Sequence, residues 1–129
     1  DQLLAAAARD HPNALIVVDF HAESNEEKEA LAWYLDGRIS VFAGTHTHVT
    51  SADERVLPKG TGYLTDLGMT GPIDSVIGMN GDICIRRFIT QIPYKMETAE
   101  GSSAIMGAIF RIEPKSHRCV EIERVYQSL

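Results

Sequence analysis

Ile39-Ser40-Val41-Phe42-Ala43-Gly44-Thr45-His46-Thr47-His48 is the stretch on which the fold turns. The mostly apolar run from Ile39 to Ala43 reads as a buried strand, and a glycine and two histidines stand just beyond its carboxyl end. If the extended course continues, side chains alternate faces, and His46 and His48 project to one side roughly 7 Å apart along the strand. That spacing suits one imidazole on each of two metal ions about 3.5–4 Å apart, with Gly44 letting backbone and ions approach without a Cβ between them. A solvated surface pair is the plain alternative for a His-x-His read alone.

Upstream, Ala14-Leu15-Ile16-Val17-Val18-Asp19-Phe20-His21-Ala22-Glu23 is a second apolar run, ending in Asp, His and Glu. In an open α/β sheet ligand groups gather beyond the carboxyl ends of strands. His21, His46 and His48 are therefore expected along one rim, with ring nitrogens converging to within about 4–7 Å. Between the two runs, Ser24-Asn25-Glu26-Glu27 has the pattern of a capping box. A helix from Asn25 to Asp36 is expected to bury Ala30, Leu31, Tyr34 and Leu35, with Gly37 at its left-handed end. Glu26, Glu27 and Glu29 read as its solvated face rather than as ligands. Strand, helix and strand in succession predict parallel neighbours joined by a right-handed crossover.

Working outward, Asp1 to Arg9 reads as the last turns of a helix broken at His11-Pro12-Asn13. A helix tail delivering the chain into a strand, and a first residue that is Asp rather than Met, lead us to expect sequence upstream. After His48 come a polar loop, a short strand at Val56-Leu57 and a third strand from Thr61 to Asp66. Gly68-Met69-Thr70-Gly71-Pro72 is too glycine-rich for a regular element. It follows a strand end, so Met69 and Thr70 are expected to line a substrate cleft, a structural turn being the alternative. Asn80-Gly81-Asp82 caps a helix with Ile85, Phe88, Ile89 and Ile92 on one face and Pro93 as its stop. Ala104 to Ile112 and Cys119 to Tyr126 read as an antiparallel hairpin. His117 is given no role.

The 129 residues make one domain's length, or half of a larger one. A formal net charge of −6, with no basic cluster beyond Arg86-Arg87, lacks the footprint of a nucleic-acid groove. Two cysteines in apolar segments, Cys84 and Cys119, fit a reducing compartment better than a disulfide framework. No apolar run approaches a membrane span.

Several motifs agree in order and spacing with one family: Val18-Asp19-Phe20-His21-Ala22-Glu23, Trp33-Tyr34-Leu35-Asp36-Gly37-Arg38, Gly44-Thr45-His46-Thr47-His48-Val49, Ala52-Asp53-Glu54-Arg55, Leu57-Pro58-Lys59-Gly60-Thr61, and Asp66 through Pro72. From about Asn13 to the last strand the chain resembles the YmdB-like bacterial metallophosphoesterases of the calcineurin-like superfamily. The resemblance implies a four-layer α/β/β/α sandwich, of which this chain is about the carboxyl-terminal half, a single partial domain. It also implies a site for two divalent ions (iron, manganese or zinc), with His21 and His46 on one and His48 on the other. The implied activity is cytoplasmic hydrolysis of small phosphodiesters such as 2′,3′-cyclic nucleotides, the two ions holding the phosphoryl group.

The family's early Asp, bridging Glu and Asn-His pair have no counterpart in this sequence, so no catalytic acid is assigned in this chain. Asp19 and Glu23 are read as supporting groups, Asp19 as one that orients a histidine ring. Two rivals stand beside the enzyme half: a metal-free structural or interaction module, and a hydrolase using one ion on His21, His46 and His48. Half of a two-sheet fold would expose an apolar face and a free strand edge, so a missing amino-terminal half or a homo-oligomeric partner is expected.

Overall fold

The computed structural model describes residues 1–129. The chain opens with α1 (Gln2–Asp10), enters β1 (Val17–His21), crosses through α2 (Asn25–Leu35) and returns in β2 (Val41–Thr45). β1 and β2 are parallel, with Phe20 opposite Gly44 and His21 opposite Thr45. β3 (Arg55–Val56) and β4 (Gly62–Leu64) complete a sheet in the order β1-β2-β4-β3, in which β3 alone is antiparallel. The predicted βαβ unit is thus present, and both strands end at the histidine rim.

Its core is built from Ala32, Leu35, Ile39, Phe42, Leu57 and Tyr63. Phe42 lies between Phe20 and Tyr63, with ring centroids 5.7 Å from each. Helix α2 is capped by Ser24, whose hydroxyl accepts the Glu27 amide, and Gly37 is left-handed at φ +79. The buried face differs from the expected one. Lys28, Ala32 and Leu35 are buried, whereas Ala30 and Tyr34 are exposed. A lysine occupies the first inward position of the stripe, so a pattern read from apolar residues alone is rotated toward the wrong side.

The second sheet runs β5-β6-β7, from β5 (Gly71–Pro72), β6 (Ser103–Ile112) and β7 (Cys119–Ser128). The predicted hairpin forms, pairing from Ala104 with Ser128 to Ile112 with Cys119. Gly71 and Pro72, expected to be irregular, form an edge strand against β6, where Pro can sit without a ladder amide. β7 packs against β3 and β4, and Gly62 makes room for it: a Cβ there would lie 2.7 Å from Cys119 Sγ.

Between β5 and β6 the chain carries α3 (Gly81–Thr90), capped by Asn80. It ends at Thr90, with left-handed Gln91, two residues before Pro93, because the residue preceding a proline is steered away from the helical region. Only Cys84 is buried; Ile85, Phe88, Ile89 and Ile92 are all exposed. The chain exposes 8453 Å², whereas a compact monomer of 14.2 kDa exposes about 6,800 Å². Both observations describe a structure with large uncovered surfaces. None of the helices is long and apolar enough to cross a membrane.

Candidate metal centre

His21 ends β1 directly opposite Thr45, and its Nδ1 lies 3.1 Å from the Thr45 hydroxyl. In the tautomer that donates this Nδ1–H, Nε2 keeps its lone pair and faces His46 Nδ1 at 3.3 Å. Two nitrogens bound tetrahedrally to one ion at about 2.0–2.1 Å would stand about 3.3–3.4 Å apart. Nothing needs to move far for both to share one ion. Thr45, rather than Asp19, holds the ring; Asp19 makes no hydrogen bond to a histidine. A hydroxyl in parallel register does what the carboxylate was expected to do.

His48 is held differently. Its Nδ1 lies 2.9 Å from the Ile77 carbonyl oxygen, which can only accept, so Nδ1 carries the proton and the neutral ring's Nε2 is left free. Ring orientation by a backbone carbonyl is a common support for a metal-binding imidazole. His46 and His48 do not, however, alternate along a strand: β2 ends at Thr45, and His48 sits in the left-handed region at φ +66. The chain turns where extended geometry had been expected. No three His, Cys, Asp or Glu side chains come together as a cage for a single ion, and the rings brought into contact are those of His21 and His46.

Behind the rim lies a buried ion pair. Lys28 Nζ is 3.1 Å from Asp66 Oδ2, with side-chain exposures of 0% and 1%. The same Oδ2 accepts the Thr47 amide at 2.8 Å, and Oδ1 accepts the Gly68 amide at 3.0 Å. Burial pushes the Asp66 pKa up, but the Thr47 and Gly68 amides and the Lys28 ammonium outweigh it and hold the carboxyl below its ordinary range. Asp66 thereby fixes the residue between the two histidines and the start of the Gly68 loop. Gly44 serves the same packing rather than an approach to ions, since a Cβ on it would lie 1.9 Å from the Thr65 carbonyl oxygen.

Met69 is half-buried, and its sulfur packs against Gly78: a Cβ there would sit 2.9 Å from Sδ. It braces the turn whose Ile77 carbonyl holds His48. Thr70 is exposed.

Residues 1–125 match the sequence profile of the YmdB-like proteins. The chain belongs to the YmdB-like family. It is 49% identical over 125 residues to the 2′,3′-cyclic-nucleotide 2′-phosphodiesterase of Bacillus subtilis (strain 168), an alignment covering 97% of this chain and 47% of that protein. A putative phosphatase/phosphodiesterase of Mycoplasma pneumoniae is 39% identical over 112 residues, 86% of this chain and 40% of its own length. The chain thus spans about half or less of the length of the curated relatives it matches. Among solved structures, a novel phosphatase from Mycoplasma pneumoniae superposes with a TM-score of 0.88 at 35% identity, over 98% of this chain and 46% of that one. A hypothetical protein from Thermus thermophilus gives 0.84 at 38% identity, over 97% and 50%. The fold of this YmdB-like chain is therefore that of about half of those solved molecules, as the resemblance implied.

The sequence reading missed Lys28, the holding role of Thr45, the Ile77 carbonyl and the bracing by Asp66. A lone lysine in a glutamate-rich helix offers no signal of burial, and a carbonyl is invisible in any sequence. Asp66 alone left a trace, as an acid at the end of a buried strand.

Proposed function

We propose that the protein to which this chain contributes is a metal-dependent phosphodiesterase acting on small phosphodiesters such as 2′,3′-cyclic nucleotides. This chain is one partial domain supplying the histidine part of a two-metal site. The observation that carries the reading is the 3.3 Å approach of His21 Nε2 to His46 Nδ1, with the other nitrogen of His21 tied to Thr45. His21 and His46 would hold one ion. His48, its Nε2 left free by the Ile77 carbonyl, would serve the other. Divalent ions there would supply positive charge to the phosphoryl oxygens. Iron, manganese and zinc all suit imidazole donors.

The chain's own residues keep the donors in place: Thr45 and Ile77 orient rings, and Asp66 with Lys28 fixes the backbone between His46 and His48. Thr70, exposed on the loop braced by Met69, is the expected substrate contact. The buried, unpaired thiols Cys84 and Cys119 support a cytoplasmic setting. The exposed α3 face supports cover by further chain or by a second copy.

By itself the chain should be inert. Neutral imidazoles offer nothing to offset the repulsion of two close divalent ions, and a leaving-group acid alone contributes about 10²–10⁴-fold. The test assays this chain and a longer protein containing it on bis-p-nitrophenyl phosphate and a 2′,3′-cyclic nucleotide, with added manganese, iron or zinc. The longer protein should turn both over, with His46→Ala removing metal and activity together, while this chain is silent. Turnover by the longer protein that survives His46→Ala would refute the assignment.

A further inference from the structure

The opposite end of the parallel sheet carries a second polar feature, independent of the histidine rim and beyond the activity proposed above. Ile16 and Ser40 immediately precede β1 and β2, so the cavity of about 280 Å³ they line opens at the amino ends of the strands. By the strand rise roughly 16–17 Å of β2 separates it from Thr45, the residue before His46. Its charged lining consists of Arg38, Lys59 and Arg118, with His117 beside them, and includes no carboxylate. In a chain of net charge −6 this is a local reversal of sign.

Two of these cations have no acidic partner. Arg38 is paired with Asp1 at 2.6 Å, but neither Lys59 nor Arg118 makes a salt bridge. The nearby buried carboxylate of Asp36 is already committed to the Lys59 and Thr61 amides, at 2.9 and 3.2 Å. Both side chains are exposed, and their stems run close against the backbone. A Cβ on Gly60, at φ +102, would fall 2.7 Å from Arg118 Cγ, and one on Gly37, at φ +79, would fall 2.8 Å from Lys59 Cβ. Two left-handed glycines let two cationic side chains run close along the backbone at the cavity. Ser40 also lines the cavity and is only 2% exposed. Two cations without acidic partners and a serine hydroxyl around one cavity are a set of donors with no carboxylate among them to accept.

We infer that this cavity binds a phosphate-bearing anion, with Lys59 and Arg118 supplying charge and the Ser40 hydroxyl a hydrogen bond. The volume suits inorganic phosphate or the phosphate end of a nucleoside monophosphate. Planar guanidinium and point-charge ammonium are the usual pair for such a group. The test is calorimetric titration of the chain, with chelator present, using inorganic phosphate and AMP, alongside backbone NMR. Binding should perturb the amides of Ser40, Lys59 and Arg118, should weaken about tenfold or more in a Lys59→Gln/Arg118→Gln variant, and should be untouched by His46→Ala. Comparable affinity for the two ligands would identify free phosphate as the anion recognised. Tighter AMP binding would identify a nucleotide. Ser40→Ala, a smaller change that keeps the fold, should weaken either several-fold. No binding at millimolar phosphate, binding unchanged in both variants, or binding lost in His46→Ala would overturn the inference.

Discussion

Helix α2 buries the ammonium of Lys28 completely and leaves Trp33 and Tyr34 about half exposed, while α3 buries only Cys84 and leaves Phe88 and Ile89 about three-quarters exposed. By composition the two should have behaved the other way round. What differs is the partner. Across from Lys28 stands Asp66, itself satisfied by two backbone amides, so the buried charges are paired and hydrogen-bonded. α3 stands on an excursion between two paired strands, and no other element covers its apolar face. Burial in this molecule follows what faces a residue more than what the residue is.

The sharpest way to break that comparison is to remove the partner. Asp66→Ala should strand the Lys28 ammonium in the core and cost about 3–5 kcal/mol in urea unfolding. Replacing the pair together, as Lys28→Met/Asp66→Leu, should recover much of that loss while still freeing the Thr47 amide. A loss below about 1 kcal/mol for the single variant would mean that α2 is not held this way. The same carboxylate sets an acid limit. Its folded pKa lies below the ordinary aspartate value of about 3.9, so its contribution is fully present above that value and is lost as pH falls through the lower folded one. The urea midpoint should therefore drop steeply only in that acid window, and less steeply in the double variant.

Gly44→Ala probes the packing that brings Lys28 and Thr65 together. Its Cβ would meet the Thr65 carbonyl oxygen at 1.9 Å, so β2 and the strand end beside it must separate, at a cost of about 1–3 kcal/mol. In the longer protein the same substitution should also weaken metal retention, because Thr45 and His46 follow directly. Tyr63→Phe is milder: it removes the hydroxyl bonded to Thr65, which keeps its bond to Asp53, and should cost about 1 kcal/mol in thermal unfolding.

The smallest stability effect belongs to α3. Phe88→Asp or Ile89→Asp should change the unfolding free energy of this chain by no more than about 0.5 kcal/mol, since both side chains face solvent. Binding of a hydrophobic dye and self-association should nevertheless fall measurably. A loss above about 2 kcal/mol would show that this face is packed in solution and would erase the contrast with α2.

The sequence by itself determined the parts whose signals are local. Apolar runs gave β1 and β2, Ser24 gave the start of α2, and alternation with a Pro-containing turn gave the β6–β7 hairpin. The histidines at the strand ends were legible for the same reason, because chain order and the crossover rule bring His21 beside His46 without knowledge of any distant contact. Tertiary structure alone decided the inward face of α2, the partner of each ring and the direction taken by His48. Each rests on groups far apart in the chain: Lys28 on Asp66 38 residues on, His21 on Thr45 24 residues on, and His48 on a carbonyl 29 residues on. A buried polar group is stable only when its donors and acceptors are met, and whether they are met is a property of the assembled neighbourhood that no local pattern encodes.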